Sequence, residues 1–415
     1  MSVGIRHDDL RRRNRAMVIA AVRRTGQPSR TEIAATTGLS HSTISAISSD
    51  LIAEGYLVQD KGGETPSLKR GRPQVALTLN PDAATIIVAG LSLNFLSAAI
   101  VDYTGSVVAE QRRKPCTATL SQADLVGELT ATIRQLMAGQ AGARRPLRII
   151  LSVQGTTDAG ARTMLWSPIT PHLDIPFADV LEREFAIPAT VENDCNMMAV
   201  ALRWRDPQRY RDNFIAILLS HGIGMGLVLK GELFTGTRSS GGEFGHMTHQ
   251  PDGALCRCGQ RGCVEAYAGN YAIWRNARLN PEDSAPQDGI EETDMRALAA
   301  RARAADGPER EAYRQAGSAI GFGLGSLFAL IDPAPVAFVG GGAAAFDILE
   351  PDIRAAIART AGGRHADAIS FDTVSDELPL IRQGCTMRAL TFVDQEIFAS
   401  GTASAQGESI GKDVA

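Results

Sequence analysis

Three cysteines and one histidine lie close together near the middle of the chain, and their spacing strongly constrains the local fold. Cys256, Cys258 and Cys263 supply thiolates, and His246 supplies an imidazole just upstream. A Cys₃His set fills a tetrahedral zinc ion and leaves no open position, which makes the predicted zinc structural rather than catalytic. The alternatives are a metal-free loop and a disulfide, of which a Cys256–Cys258 bridge would be badly strained. The CxCGxxGC pattern is far more specific than a lone CxxC and favours zinc.

Two carboxylates lie at the ends of this segment. Glu243 precedes the cysteines and Glu265 follows them. Carboxylates accept hydrogen bonds from neighbouring hydroxyls, and a metal-bound His246 can offer its second ring nitrogen to a ligand or an orienting group. The alternative is that both are solvated surface acids. The segment therefore predicts a hydroxyl-rich ligand beside the metal, or two surface carboxylates.

The same segment resembles the signatures of the ROK family, which contains repressors and sugar kinases. The GExGH signature is present from Gly242 to His246, and CxCGxxGCxE from Cys256 to Glu265. The resemblance extends over nearly the whole chain. It implies an α/β chain with a two-lobed actin-like (ribonuclease H-like) fold and a cleft between the lobes.

Length and charge indicate several domains with different partners. A chain of 415 residues exceeds one ordinary core, and 44% hydrophobic content fits a globular protein. Residues 1–75 carry 12 Lys and Arg against 7 Asp and Glu, whereas the remainder carries 30 against 39. This asymmetry predicts a basic binding module joined to an acidic body. Few cysteines, no signal peptide and no long apolar run predict a cytoplasmic protein without membrane insertion.

The basic module shows the order helix, helix, tight turn, helix. A helix is predicted over 8–24, and Ser29 to Glu32 forms a capping box for a second helix that stops at Gly38. A third helix is predicted over about 40–54. Its apolar residues recur at helical spacing, and its polar residues are expected to face outward: His41, Ser42, Thr43, Ser45 and Ser48. The pattern is that of a winged helix-turn-helix domain.

We expect this module to bind double-stranded operator DNA. The third helix would enter the major groove, with four of its polar residues near bases or phosphates: His41, Ser42, Thr43 and Ser45. Two predicted strands, at 56–58 and 75–79, enclose a wing in which Arg70 and Arg72 suit a narrow minor groove. A solvated linker is the alternative for the wing, and a protein-binding winged helix is the alternative for the module. ROK kinases lack such a module.

From about residue 82, short apolar strands alternate with helices. Strands are predicted over 85–91, 97–101, 147–153, 214–219 and 336–339. Helices are predicted over 121–138, 175–186, 195–205, 264–276, 293–303, 308–330, 347–360 and 385–399. We predict a winged helix-turn-helix domain at 1–80 and a first lobe at 81–194, completed by a C-terminal helix at about 385–400. The second lobe, with the zinc loop, is predicted at 195–384, and a disordered tail at 401–415.

The resemblance also assigns a sugar site. Asn193 and Asp194 match a family motif in which, in kinase relatives, the Asp is the general base and the Asn holds a neighbouring hydroxyl. With Glu243, His246 and Glu265 they form the set of acceptors expected of a monosaccharide site. A plain helix-capping role for Asn193 and Asp194 is compatible with binding as well.

Phosphoryl transfer also needs a phosphate cradle, and the sequence departs from the family pattern there. ROK kinases carry an Asp-x-Gly-Gly-Thr turn where this chain has Gly90 to Asn94, with Leu93 replacing a glycine. A second turn, Gly-Thr-Gly in kinases, reads Ser220 to Gly222. Losing one preorganised contact costs about 3 kcal/mol of transition-state stabilisation. We therefore predict no catalytic residue and interpret Asp194 as a retained sugar ligand.

These patterns together predict a transcriptional repressor of carbohydrate metabolism genes. Its DNA affinity would depend on a sugar or sugar-phosphate effector, and it would act as a homodimer or homotetramer. One alternative is a ROK sugar kinase with residual ATP-dependent activity. Another, taken from the family, is control by a phosphotransferase-system protein.

Overall fold

The computed structural model describes residues 7–60, 75–140, 144–239, 241–287 and 289–400. Arg70 and Arg72 of the predicted wing, and the predicted tail at 401–415, lie outside the described residues. None of the helices within those ranges is long and apolar enough to cross a membrane.

In its described residues, the N-terminal module contains three helices and one pair of antiparallel strands. They are α1 (His7–Thr25), α2 (Arg30–Thr37), α3 (His41–Ala53), β1 (Leu57–Asp60) and β2 (Ala76–Leu79). Apolar residues from all three helices are fully buried together, as the predicted helix-turn-helix requires: Val18, Val22, Ile33, Ile44 and Leu51.

Local capping explains where these helices begin and end. The predicted capping box is present, because the Ser29 hydroxyl accepts from the Glu32 amide and the Glu32 carboxylate accepts from the Ser29 amide. Gly38 ends α2 in the left-handed conformation at φ 71°, which favours glycine. Ser40 caps α3 by accepting from the Thr43 amide at 3.1 Å. These short-range bonds set the angle of the tight turn.

The prediction that Ser48 faces outward is wrong. Ser48 is fully buried, and its hydroxyl has no hydrogen-bond partner among the described residues. Its position follows from helical spacing, because Ser48 lies one turn after Ile44 and one turn before Leu51 on the same face. Because several serines lie close to Ser48 in the sequence, the sequence pattern limited the predicted buried face of α3 to Ile44, Ile47 and Leu51.

The first lobe is built on a five-stranded mixed sheet in the order β5-β4-β3-β6-β9. Its elements are β3 (Thr85–Ser92), β4 (Phe95–Asp102), β5 (Val107–Arg113), α4 (Gln122–Ala138), β6 (Ile149–Val153), β7 (Thr156–Thr157), β8 (Met164–Trp166), α5 (Phe177–Phe185) and β9 (Ala189–Asn193). The short strands β7 and β8 form a separate antiparallel pair. Strands β3, β6 and β9 are parallel, so the carboxyl ends of β6 and β9 lie at one edge.

The second lobe contains another five-stranded sheet, in the order β12-β11-β10-β13-β14. Its elements are α6 (Asp194–Arg205), β10 (Phe214–Leu219), β11 (Ile223–Leu229), β12 (Glu232–Phe234), α7 (Glu265–Ala268), α8 (Asn270–Ala277), α9 (Glu292–Ala304), α10 (Pro308–Ile331), β13 (Val336–Val339), α11 (Phe346–Ala358) and β14 (Phe371–Val374). The C-terminal helix α12 (Glu377–Phe392) follows and packs on strands of the first lobe. Short 3₁₀ turns cover Pro81–Ala83, Phe244–His246, Gly341–Ala345 and Ala361–Ala368. A π-helical turn, Val393–Phe398, continues α12.

Two helices differ from their predicted extents. The helix predicted over 264–276 is divided into α7 and α8 by Gly269, whose backbone is extended. The C-terminal helix starts at Glu377 rather than near 385, because Asp376 caps it and Pro379 falls in the first turn, where its missing N–H is not needed. The longer α12 packs against α6, β3 and β6 and so contacts elements of both lobes.

Candidate functional site

The four predicted metal ligands lie together. The ligand atoms of His246, Cys256, Cys258 and Cys263 are all within 4.8 Å of one another. His246 Nδ1 lies 3.7 Å from Cys256 Sγ, and Cys258 Sγ lies 3.8 Å from Cys263 Sγ. A tetrahedral zinc with Zn–S bonds of about 2.3 Å places two sulfurs about 3.8 Å apart, so the arrangement fits this metal. All four cysteine and histidine side chains could bind one ion.

Backbone contacts hold the cysteine loop in this shape. Gly262 has φ 77°, and a Cβ there would lie 1.7 Å from the Gln250 carbonyl oxygen, so only glycine fits. The Cys256 amide donates to the Gln260 carbonyl at 2.9 Å and closes the loop. The loop therefore turns back sharply enough to bring Cys263 beside Cys258.

Glu265 begins α7 and connects the metal loop to the sheet of the second lobe. Its side chain is only 3% exposed, and one carboxylate oxygen accepts from the Ile223 amide at 3.1 Å. The other accepts from the Tyr271 hydroxyl at 3.4 Å. A Cβ on Gly222 would lie 2.6 Å from this carboxylate, so the glycine makes room for it. The alternative of a solvated surface acid is wrong for Glu265.

Asn193 and Asp194 lie where β9 of the first lobe meets α6. The Asn193 side chain caps α6 by accepting from the Asn196 amide at 2.9 Å, and it donates to the Gly155 carbonyl at 2.8 Å. Asp194 is 6% exposed, and its carboxylate accepts from the Cys195 amide at 2.8 Å. Burial raises the pKa of Asp194 to about 7, partly opposed by the Cys195 hydrogen bonds. Asn193 therefore caps α6 and, like Asp194, also lines the cleft.

All five predicted sugar ligands line one cleft between the lobes: Asn193, Asp194, Glu243, His246 and Glu265. The space measures about 610 Å³ out to its open mouth. His246 Nε2 lies 3.9 Å from the Glu243 carboxylate, while Nδ1 of the same ring faces the cysteines. One ring can therefore bind a metal and border the cleft at the same time.

Sequence reasoning missed Trp166 as a residue of this cleft. Trp166 ends β8 of the first lobe, and its ring lies edge-on to His246 of the second lobe, with centroids 5.6 Å apart at 84°. The strand that carries it is three residues long and pairs with Thr156. Such a short strand has no periodicity of its own, so no local pattern marked Trp166 as a site residue.

The first candidate phosphate turn is closed by side chains of the protein. The Leu93 amide donates to the Gln154 side chain at 3.1 Å, and the Asn94 amide donates to the Thr117 hydroxyl at 3.2 Å. The Asn94 side chain in turn accepts from the Thr117 amide at 3.1 Å. Two amides that a phosphate would need are thus already bonded.

The second candidate turn faces an acidic side chain. The Ser220 hydroxyl donates to the Glu377 carboxylate at 3.2 Å. Burial raises the pKa of Glu377, and the charges of Asp376 and Glu292 contribute to the rise. Neighbouring carboxylates repel a nucleotide triphosphate unless a cation intervenes.

The candidate DNA-contacting residues lie at the start of α3. His41, Ser42 and Ser45 are exposed, and Thr43 is half-buried. The hydroxyls of Ser42 and Thr43 lie within hydrogen-bond distance of the capping Ser40 hydroxyl. The exposed surface at the helix N-terminus is therefore polar, as a major-groove contact requires.

A buried polar contact joins the N-terminal module to the C-terminal π-helical turn. The Arg23 guanidinium donates two hydrogen bonds to Asp394, at 2.8 and 2.9 Å, and both side chains are at least 94% buried. The Tyr103 hydroxyl donates to the same carboxylate at 2.6 Å. Phe398 stacks on Tyr56 with ring centroids 3.9 Å apart. This cluster is the most buried part of the contact between the module and the rest of the chain, which also includes bonds from Arg12 and Arg15 to the same turn, and we call it the docking cluster.

Comparisons with known proteins agree with this architecture. The ROK family model matches residues 94–373, and the IclR helix-turn-helix domain model matches residues 15–61. The xylose repressor of Bacillus subtilis (strain 168) is 25% identical over 279 residues, which cover 67% of this chain and 71% of that protein.

Two solved structures share the fold. A ROK family transcriptional regulator, homologous to the E. coli MLC protein, has a TM-score of 0.75 at 21% identity, covering 94% of this chain and 99% of that one. A ROK family glucokinase from Streptomyces griseus, solved with glucose and AMPPNP, has a TM-score of 0.58 at 24% identity, covering 73% of this chain and 98% of that one. The regulator aligns with nearly the full length of the chain, whereas the glucokinase aligns with about three quarters of it.

Proposed function

The chain belongs to the ROK family, and from that membership we propose that it is a DNA-binding transcriptional repressor of carbohydrate metabolism genes, controlled by a sugar bound in the cleft. The observation that carries this proposal is a helix-turn-helix module on a kinase-like body whose candidate phosphate turn is filled by Gln154 and Thr117. Similarity to a xylose repressor supports the same conclusion.

The cleft suits an effector that changes the relation between the lobes. Asn193 and Asp194 approach the ligand from the junction of the two lobes, and Glu243, His246 and Glu265 approach from the second lobe. A sugar that bonds to both sides binds one lobe arrangement better than the other, and this difference in affinity is the coupling free energy.

Helix α12 provides a physical connection from the cleft to the DNA-binding module. It starts at Glu377, beside Ser220 of the second lobe, and continues into the turn that carries Asp394. Asp394 binds Arg23 of α1. A change in the angle between the lobes would therefore move the docking cluster and, with it, the recognition helix α3.

Zinc is the metal that this proposal places at the cysteine loop. A closed Cys₃His zinc supplies folding energy rather than chemistry, and two donor pairs, His246–Cys256 at 3.7 Å and Cys258–Cys263 at 3.8 Å, lie near the spacing of a tetrahedral zinc site. Cys256, Cys258 and Cys263 would hold it, while His246 would be kept in the orientation that presents Nε2 to the cleft. The residues, not the metal, would contact the sugar.

The proposal includes a two-fold symmetric assembly. Helix-turn-helix proteins read paired half-sites as dimers, so a dimer or a tetramer would present two copies of α3 to the operator. Analytical ultracentrifugation with and without operator DNA measures this directly, and a monomer on DNA would contradict it.

A gel shift with the zinc-loaded protein and its own promoter tests the function. We expect a specific complex whose affinity changes when a binding monosaccharide is added. A complex whose affinity does not change with the sugars that bind in calorimetry would contradict control by a sugar. It would favour control by a protein partner.

Residual kinase activity is the second candidate, because Asp194 is retained and its pKa of about 7 suits a general base. A coupled assay with ATP and the same sugars tests it. We expect no turnover above the Asp194→Asn background. Turnover that this substitution abolishes would make the protein an enzyme as well.

A further inference from the structure

Two carboxylates near the C-terminal end of the recognition helix α3 bond to arginines of α1. They are Asp50 and the capping residue Glu54, whereas the residues expected to meet DNA lie at the opposite end of α3. A helix of 13 residues is about 20 Å long, so a tilt of about 5° at one end moves the other end by about 2 Å. Hydrogen bonds to base edges tolerate a change of only about 0.5 Å. The contacts that orient the C-terminal end of α3 therefore affect how its other end meets DNA.

Arg15 is the buried member of the two arginines. It is 2% exposed, and its guanidinium donates to both oxygens of Glu54, one of them at 3.1 Å. The same guanidinium donates to the Phe398 carbonyl at 3.0 Å, in the turn after α12. A planar guanidinium that bonds to both oxygens of a carboxylate fixes the orientation of the pair as well as its distance. One side chain of α1 thus connects the end of α3 to the C-terminal turn.

Aromatic contacts place the same turn between the DNA-binding module and the first lobe. The Phe398 ring stacks on Tyr56, which follows α3, with ring centroids 3.9 Å apart. On the first-lobe side, Tyr103 meets Phe398 edge-on with centroids 5.0 Å apart. Burial of apolar surface stabilises this contact but is not directional. The guanidinium of Arg15 adds the directional bonds that packing alone does not supply.

The neighbouring pair, Arg11 and Asp50, provides a comparison on the same two helices. Each of its residues lies one helical turn before its counterpart in the pair of Arg15 and Glu54. The side chains of Arg11 and Asp50 are 61% and 42% exposed, and a bond of 3.0 Å joins them. An exposed pair contributes little, whereas breaking a pair with a buried member leaves a charge without its partner. The two pairs therefore differ in burial and not in charge.

From these contacts we infer that Arg15 and Glu54 are positioning residues for operator recognition, which fix the angle between α3 and the body of the protein. The inference rests on the proposed DNA-binding function and goes beyond it, because neither residue is among those expected to touch DNA. It also gives a reason for a local cost, since the buried Nε of Arg15 has no hydrogen-bond partner among the described residues. The guanidinium is oriented for Glu54 and Phe398 instead.

Two matched substitutions test this role. Glu54→Gln and Asp50→Asn each remove one negative charge from the same end of α3, so their direct electrostatic effects on DNA binding are alike. Gel shifts measure the affinity of the full-length protein for a duplex from its own promoter and for a scrambled duplex of the same length. We expect Glu54→Gln to bind the promoter duplex about tenfold more weakly, which is the effect of about one lost base contact. Its affinity for the scrambled duplex should equal that of Asp50→Asn, which should keep the wild-type ratio of the two affinities.

Arg15→Lys tests the geometry of the pair. Lysine keeps the charge but lacks the planar fork that bonds to both carboxylate oxygens. We therefore expect Arg15→Lys to lose the preference for the promoter duplex to the same extent as Glu54→Gln. Combining the two substitutions should cost no more than either one alone, because both remove the same interaction. Losses that add would show that the residues act separately and would overturn the inference.

Thermal unfolding separates positioning from stability. A lower thermal midpoint in Glu54→Gln, with equal losses of affinity for both duplexes, would make the pair structural and overturn the inference. An unchanged preference for the promoter duplex in Glu54→Gln would also overturn it, while leaving the proposed function standing. A wild-type protein that does not prefer its promoter duplex would contradict the proposed function, and the inference with it.

Discussion

At the scale of single residues, burial decides the properties of the cleft. Asp194 and Glu265 are 6% and 3% exposed, although carboxylates are rarely buried unless they are paired or hydrogen-bonded. Backbone amides meet that need, with Cys195 donating to Asp194 and Ile223 donating to Glu265. The carboxylates are therefore held rigidly with lone pairs left for a ligand, which is how a binding site is preorganised.

The free energy of unfolding should depend on pH through Asp194. Burial raises its pKa from 3.8 to about 7, with Glu243 adding to the rise, while the neighbouring Cys195 thiol has its own pKa raised by burial. Between pH 3.8, the pKa of Asp194 in the unfolded chain, and about pH 7, its pKa in the native protein, the native protein holds one more proton than the unfolded chain. Its stability therefore falls as the pH rises from about 4 to about 7. Asp194→Asn removes this loss of stability. The unfolding free energy that the variant gains over the wild type, both without sugar, should therefore be larger at pH 8 than at pH 5, by on the order of 2 kcal/mol.

Urea unfolding at several pH values measures the effect. The difference in unfolding free energy between Asp194→Asn and the wild type should grow with pH through neutrality and then level off. A difference that stays constant from pH 5 to pH 8 would show that Asp194 ionises normally.

The candidate metal ligands allow a second prediction for single residues. Cys258→Ser removes one of four donors and should reduce the zinc content from about one per chain towards zero, since three ligands hold structural zinc poorly. The thermal midpoint should fall as well, because metal binding contributes to folding. Cys116→Ser is the control, since Cys116 is exposed and outside the cluster. Full metal content in Cys258→Ser would contradict the ligand assignment.

At the scale of secondary-structure elements, the sequence predicted long periodic segments well and short ones poorly. The helices α4, α6 and α10 lie within a few residues of their predicted ends, because caps and buried faces mark them in the sequence. Seven strands of the two lobes were not predicted: β5, β7, β8, β9, β11, β12 and β14. Four of them lie at sheet edges, namely β5, β9, β12 and β14, and the interior strand β11 contains two glycines. Their pairing partners, rather than their own sequences, make them strands.

The docking cluster supports a prediction at this scale. Arg23→Gln leaves Asp394 buried without its cationic partner, and breaking a buried pair in this way costs about 3–5 kcal/mol of stability. We also expect the sugar to bind normally but to have a weaker effect on the gel shift, because α1 loses its two bonds to Asp394 and keeps only the bonds that Arg12 and Arg15 make to the same turn. Thermal unfolding, calorimetry and gel shift measure the three effects.

Two further variants make this prediction specific. Arg13→Ala changes an exposed arginine on the same helix and should leave stability unchanged. Adding Asp394→Asn to Arg23→Gln removes the unpaired charge and should recover part of the lost stability. Sugar control of undiminished strength in Arg23→Gln would mean that the Arg23–Asp394 pair does not transmit the signal.

At the scale of the whole molecule, the two lobes and the DNA-binding module meet along α12. This helix packs on α6, which begins at Asp194, and its continuation binds α1 through the docking cluster. The cleft and the DNA-binding module are thus joined by packed helices whose relative positions a ligand can change. Such a rigid-body arrangement is a common form of allosteric transition.

The amino-acid sequence by itself determined the features that depend on local spacing. The candidate Cys₃His ligands, the capping box at Ser29, the apolar spacing of α3 and the Asn193–Asp194 pair are all short-range patterns, and the structure contains each of them, although Ser48 of α3 is buried rather than exposed. Only the tertiary structure decided that Trp166 faces His246, that Gln154 and Thr117 close the candidate phosphate turn, and that the turn after α12 binds Arg23. These contacts join residues far apart in the chain, so they follow from packing that no local pattern encodes.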